Sequence, residues 1–131
     1  MGWTISKQFR FEASHRLPDH DGKCQRLHGH SWILTVFFSG AALQTTGPQR
    51  GMLRDYGRIK LAVQPLVDGK LDHYHLNDST GLENPTSEEL ARWIFDRLAG
   101  ALPDLTAVEV SETCTTGCRY EPDKREVLKW P

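Results

Sequence analysis

Four of the six histidines in this chain stand in tight pairs, His28/His30 and His73/His75, with His15 and His20 apart. Two imidazoles spaced i, i+2 in a strand leave the same face, so they can grip one metal ion without bending the backbone. Gly29 between them keeps the opposite face clear. His15 ends an earlier alternating segment at the parity of its apolar residues. If the two segments pair antiparallel, it lands beside His28 and His30. Three neutral imidazoles without a fourth protein ligand describe the open coordination of catalytic zinc rather than a closed structural site. An isolated His-x-His is just as readily a packed or exposed pair, so it is the parity of His15 that points to metal. Cys24, four residues before His28, is a competing ligand because soft thiolate suits zinc.

Other residues offer proton chemistry. Cys24 is flanked by Lys23 and Arg26, and cationic neighbours favour the thiolate, so it reads as a general base or nucleophile, or else as an ordinary loop cysteine. Leu71-Asp72-His73-Tyr74-His75-Leu76-Asn77-Asp78 is dense in functional side chains. A carboxylate beside an imidazole can set its tautomer and raise its basicity, although adjacent residues need not touch and the stretch can equally be a solvated loop. Glu112 follows Val108 and Val110 on one strand face. An inward carboxylate is costly unless paired. An internal Arg or Lys is the expected partner, and a guanidine-like heterocycle edge with two parallel N–H donors is the alternative. Cys114-x3-Cys118 resembles half a zinc site but has no second pair nearby, so both thiols read as structural.

These side chains need elements to hold them. Trp3, Ile5, Phe9, Phe11 and Ala13 alternate with polar residues, which predicts a half-buried strand; Lys7 is the exception on the apolar side. A second strand runs from about Leu27 to Phe38, with His28, His30, Trp32, Leu34, Val36 and Phe38 on one face. Ile33 and Phe37 make the other face partly apolar too. Ile59, Ala62, Val63, Leu66 and Val67 predict a helix, with Asp55 as N-cap and Pro65 bending it or marking its last turn. Thr86-Ser87-Glu88-Glu89 is a capping box opening a second helix with Leu90, Ala91, Ile94, Phe95, Leu98 and Leu102 as its stripe. A strand over Ala107–Cys114 and a short one around Arg119–Tyr120 close the order β-β-α-α-β-β. That is an α+β fold with two helices on one face of an antiparallel sheet.

The 131 residues suggest a single domain over 1–131. The net charge of -1 provides no basic field for nucleic acid. No apolar run approaches the ~20 residues of a membrane helix, and the start has no signal-peptide pattern. Three cysteines, an odd number, suggest reduced thiols and a cytoplasmic setting.

Taken together, Phe11-Glu12-Ala13-Ser14-His15, Cys24-x3-His28-Gly29-His30, Leu71-Asp72-His73, Asn84-Pro85-Thr86-Ser87-Glu88 and Glu112-Thr113-Cys114 resemble the 6-pyruvoyl-tetrahydropterin synthase superfamily. Cys24-Gln25-Arg26-Leu27-His28-Gly29-His30-Ser31, Gly81-Leu82-Glu83-Asn84-Pro85-Thr86-Ser87-Glu88 and Glu112-Thr113-Cys114-Thr115-Thr116-Gly117-Cys118 resemble most its bacterial 6-carboxytetrahydropterin synthase branch, which serves queuosine biosynthesis. The likeness runs from about His15 to Tyr120 and leaves out Trp130 and its tail. It implies a tunnelling fold (T-fold) whose subunits pool their sheets into a barrel, a trimer or hexamer with sites between subunits. It implies zinc on His15, His28 and His30. Cys24 would abstract a proton, Asp72 and His73 would relay it across a subunit boundary, and Glu112 would anchor a pterin with Thr113 and join the catalytic relay. The implied substrate is 7,8-dihydroneopterin triphosphate, its triphosphate meeting Arg16, Lys23 or Arg26. The implied product is 6-carboxy-5,6,7,8-tetrahydropterin with acetaldehyde and triphosphate released. In the other branch the carbon chain stays intact, giving 6-pyruvoyl-tetrahydropterin. A non-catalytic zinc-stabilised module remains a rival and predicts a fourth protein ligand.

Overall fold

The structure, a computed structural model, describes residues 2–122; Trp130 and its tail lie outside the described residues. Strand β1 (Trp3–His15) alternates as its sequence requires, burying Phe9, Phe11, Ala13 and His15 while Arg10 and Glu12 stay exposed. Strand β2 (His28–Gly40) pairs with it antiparallel over the whole length, in a register that sets His15 opposite His28 and Ala13 opposite His30. Trp32, Leu34, Val36 and Phe38 on its inner face are all fully buried, each contributing about 1.5–3 kcal/mol of burial. The outer face is partly covered too: the Arg119 guanidinium lies 4.2 Å from the Phe37 ring centroid.

Helix α1 (Tyr56–Leu66) buries Ile59 and Val63 and carries Pro65 in its last turn. Asp55 caps it through its backbone only: its carbonyl accepts from the Arg58 and Ile59 N–H groups, and its side chain makes no capping bond. The chain then widens into a turn over Val67–Leu71, closed by the Asp72 N–H donating to the Val67 carbonyl at 2.7 Å. Strand β3 (Tyr74–His75) follows, then helix α2 (Leu76–Thr80), which Gly81 ends at φ +77°. Helix α3 (Ser87–Ala99) buries Leu90, Ala91, Ile94, Phe95 and Leu98. Its box is half formed. Thr86 Oγ1 accepts from the Glu89 N–H at 3.1 Å, whereas the Glu89 carboxylate pairs with Arg92 instead of reaching back.

Strands β4 (Leu105–Ser111) and β5 (Cys118–Tyr120) complete a five-stranded sheet in the order β3-β1-β2-β4-β5. Residues of α1 and α3 share one core cluster with β1, β2 and β4, so both helices lie on the same face. The fold is α+β. It differs from the sequence expectation in detail. The two-residue β3 pairs parallel with Ala13 and Ser14, making the sheet mixed, and α2 is an additional helical turn. β4 stops at Ser111 because its pairing with β2 ends at Ile33, so Glu112, Thr113 and Cys114 belong to the following loop.

Candidate metal centre

The β1–β2 register does what parity required of it. The His15, His28 and His30 rings lie 4.5–5.1 Å apart, centroid to centroid, and one ligand atom from each falls within 4.8 Å of the others. Trp32 forms the floor, its ring 5.0 Å from His15 and 5.3 Å from His30, with its indole N–H held by the Ala13 carbonyl. His15 is 1 % exposed. Among the described residues these three are the only such cluster, and neither Cys24 nor Glu112 belongs to it.

Backbone carbonyls orient two of the rings. His15 Nδ1–H donates to the Pro85 carbonyl at 2.8 Å and His28 Nδ1–H to the Arg26 carbonyl at 2.7 Å. With the proton on Nδ1, the Nε2 lone pair is free to bind metal, and such carbonyl partners are the usual support of ligating histidines. The buried Nε2 atoms of His15 and His30 have no hydrogen-bond partner. Orphaned buried nitrogens are costly and need an explanation; a shared cation supplies one. Burial, the largest cause, holds both rings below the usual imidazole pKa despite the Pro85 bond to His15 and the nearby Glu112. Both are therefore neutral near pH 7, the form that ligates. The residues fit a metal ion with an open position.

Glu112 stands at the mouth. Its Oε2 is 3.7 Å from His15 Nε2 and 3.6 Å from His30 Nε2, with its side chain 30 % exposed. Beside neutral rings these approaches are not ion pairs. The expected internal Arg or Lys partner is absent among the described residues. Glu112 leaves the sheet just past the last β4 rung, where the strands supply no cationic neighbour.

Cys24 sits half-buried in a single 3-10 turn (Lys23–Gln25), its carbonyl accepting the Leu17 N–H at 3.0 Å. The turn closes the loop linking β1 to β2, so the thiol is carried by the same loop that delivers the Arg26 carbonyl. Arg16 donates its Nε–H to the Gln25 carbonyl. Cys114 and Cys118 are free thiols.

Asp72 and His73 do touch: Asp72 Oδ2 lies 3.0 Å from His73 Nδ1. Two bonds pin them to β1. The Glu12 N–H donates to Asp72 Oδ1 at 2.9 Å, and the His73 N–H donates to the Glu12 carbonyl at 2.6 Å. The Glu12 N–H, and next the His73 bond, hold the Asp72 carboxyl below its ordinary pKa. His73 takes φ +65°, the left-handed region that a non-glycine residue seldom occupies without cause. Its side chain is 80 % exposed. It faces a cavity of about 490 Å³ lined by Glu12, Ser14, Ser31, Tyr74 and His75, and also by Ala13, Gly29 and His30. Glu12, Ser14 and Ser31 alternate with Ala13, His15 and His30 along the strands, so their side chains leave the opposite face of the sheet. By strand parity the Asp72–His73 pair runs with Glu12, on the face opposite His15 and His28, while His30 also lines the cavity that His73 faces.

Sequence reasoning missed the Pro85 and Arg26 carbonyls, which carry no side-chain signal, and the Ser14–His75 hydrogen bond at 3.0 Å. The density of His73-Tyr74-His75 was the only pointer to the latter.

This fold and site have relatives. The sequence profile of the 6-pyruvoyl tetrahydropterin synthase family matches residues 4–123, and the chain belongs to that family. Within it, the chain is 54% identical over 119 residues to the 6-carboxy-5,6,7,8-tetrahydropterin synthase of Synechocystis sp., covering 90% of this chain and 92% of that one. It is 33% identical to the enzyme of the same name from Haemophilus influenzae, covering 91% and 99%. The structure of Caenorhabditis elegans 6-pyruvoyl tetrahydropterin synthase superposes with a TM-score of 0.78 at 25% identity, over 92% of this chain and 96% of that one. No helix among the described residues is long and apolar enough to cross a membrane.

Proposed function

We propose that this chain is a zinc-dependent carbon–carbon lyase that converts 7,8-dihydroneopterin triphosphate and water to 6-carboxy-5,6,7,8-tetrahydropterin, releasing acetaldehyde and triphosphate. It would serve queuosine formation in the cytoplasm. The observation that carries the reading is the cluster of three imidazoles, with the buried Nε2 atoms of His15 and His30 unpartnered and no fourth protein ligand among the described residues. The names of the relatives given above support assigning this chemistry to that open site.

His15, His28 and His30 would hold the zinc, which supplies a Lewis acid that makes the substrate's neighbouring C–H and O–H groups more acidic. The Cys24 thiolate removes a proton from the side chain of the bound pterin. The Asp72–His73 pair passes it on; the 3.0 Å contact between them supports a relay. Strand parity sets the Asp72–His73 pair beside Glu12, on the face opposite His15 and His28, so this relay would work on the site of a neighbouring copy in a T-fold barrel. Glu112 and Thr113 grip the pterin edge. A carboxylate at the mouth with no Arg or Lys partner among the described residues suits the two parallel N–H donors of that ring.

Product analysis tests the reading. Purified protein with zinc and 7,8-dihydroneopterin triphosphate should yield 6-carboxytetrahydropterin and one acetaldehyde per turnover by mass spectrometry. A product that keeps its three-carbon side chain, with no acetaldehyde, would make the chain a 6-pyruvoyl-tetrahydropterin synthase. Zinc binding without any turnover would leave a metal-stabilised binding module.

A further inference from the structure

The segment 72–77 runs alongside the end of β1. The bonds between Glu12 and Asp72–His73 come first, then the parallel pairing of Ala13 with Tyr74 and Ser14 with His75. The last rung is made by a side chain. Asn77 Oδ1 accepts from the Arg16 N–H at 2.9 Å, while Asn77 Nδ2 donates to the Arg16 carbonyl at 2.8 Å and to the Glu83 carbonyl at 3.2 Å. Only an amide side chain both accepts and doubly donates in this way. By residue 77 the backbone has turned into α2 and cannot supply the rung itself.

These bonds converge on the metal centre. Arg16 is the chain neighbour of His15. Glu83 lies two residues before Pro85, whose carbonyl takes the His15 Nδ1–H. Arg16, held by its backbone, donates Nε–H to the Gln25 carbonyl at 2.9 Å, next to Arg26, whose carbonyl takes the His28 Nδ1–H. One amide thus secures the strand that carries His15 and the loop that aims it. Through Arg16 it also secures the loop that aims His28.

We propose that Asn77 is a positioning residue for the metal centre, fixing through Arg16 and Glu83 the backbone carbonyls that orient His15 and His28. The assignment rests on the metal reading above. Loosening such outer partners costs ~10–100-fold in metal affinity.

The test measures zinc affinity of the full chain by chelator competition and, separately, the melting of the metal-free protein. It compares wild type, Asn77→Ala and Asn77→Asp. Arg54→Ala serves as control, because it breaks the Arg54–Asp104 ion pair near the far end of β2. Asn77→Ala should bind zinc ~10–100-fold more weakly. Asn77→Asp keeps the acceptor for the Arg16 N–H but loses both donations, so it should fall between. Arg54→Ala should lower melting without changing zinc affinity. Wild-type affinity in a folded Asn77→Ala protein overturns the assignment. So does a zinc loss in Arg54→Ala equal to that in Asn77→Ala. If neither Asn77 variant folds, Asn77 is a folding residue and the assignment fails. A wild-type chain that takes up no zinc overturns the metal reading itself, and the assignment with it.

Discussion

Replacing His28 by alanine removes one ligand with little collateral damage. His28 is only partly buried, unlike His15, and its one hydrogen bond is to the Arg26 carbonyl near the surface. Four-ligand zinc sites bind with about 10–16 kcal/mol, so one ligand is worth ~3–4 kcal/mol. That is ~10²–10³ in affinity. At free zinc set to a hundred times the wild-type Kd, wild type gains ~2.7 kcal/mol of stability, while a variant weakened a hundredfold gains ~0.4 kcal/mol. For a chain of 131 residues, about 4 °C of Tm corresponds to 1 kcal/mol. Zinc should therefore raise the wild-type Tm by about 10 °C and that of His28→Ala by less than about 2 °C. Differential scanning fluorimetry with and without buffered zinc, at fixed protein concentration, reads both. A His28→Ala protein that keeps the full zinc-induced shift would refute the ligand assignment.

Cys24→Ala should retain one zinc per chain by elemental analysis yet lose turnover by ~10²–10⁴-fold; full activity would remove Cys24 from proton abstraction. Because burial lowers the pKa of His15 and His30 from 6.5, the unfolded chain takes up protons before the native one as pH falls. The metal-free protein should hold full stability above about pH 6.5 and lose it progressively as pH drops below. Urea midpoints of chelator-stripped protein check this, and a midpoint that stays flat or rises on acidification would contradict it. Thr86→Ala deletes the α3 cap and should cost ~1 kcal/mol with zinc affinity unchanged; an unchanged urea midpoint would show that the cap contributes nothing.

The convergence of His15, His28 and His30 was legible because strand parity is a local property. Once Phe11, Ala13 and His15 share a face and the partner strand repeats the pattern, an antiparallel register is enough to bring the imidazoles together. The start of α3 was legible because capping is local as well, whereas Leu102, read as part of its stripe, lies past the end of the helix at Ala99. The two-residue β3 was not. It has no periodicity of its own, and its pairing with Ala13 and Ser14 spans about sixty residues of chain. The same holds for the Pro85 and Arg26 carbonyls, since every residue has one and only the folded path says where it points. The expectation of an Arg or Lys beside Glu112 failed because parity gave the face of Glu112 but not where its strand ends.

Zinc-edge X-ray absorption on the loaded protein tests the open three-histidine centre most directly. The account predicts three imidazole nitrogens at about 2.0–2.1 Å, one further light oxygen neighbour and no sulfur. A sulfur neighbour at about 2.3 Å would make Cys24 a ligand instead of a base, closing the site and contradicting the chemistry assigned to it.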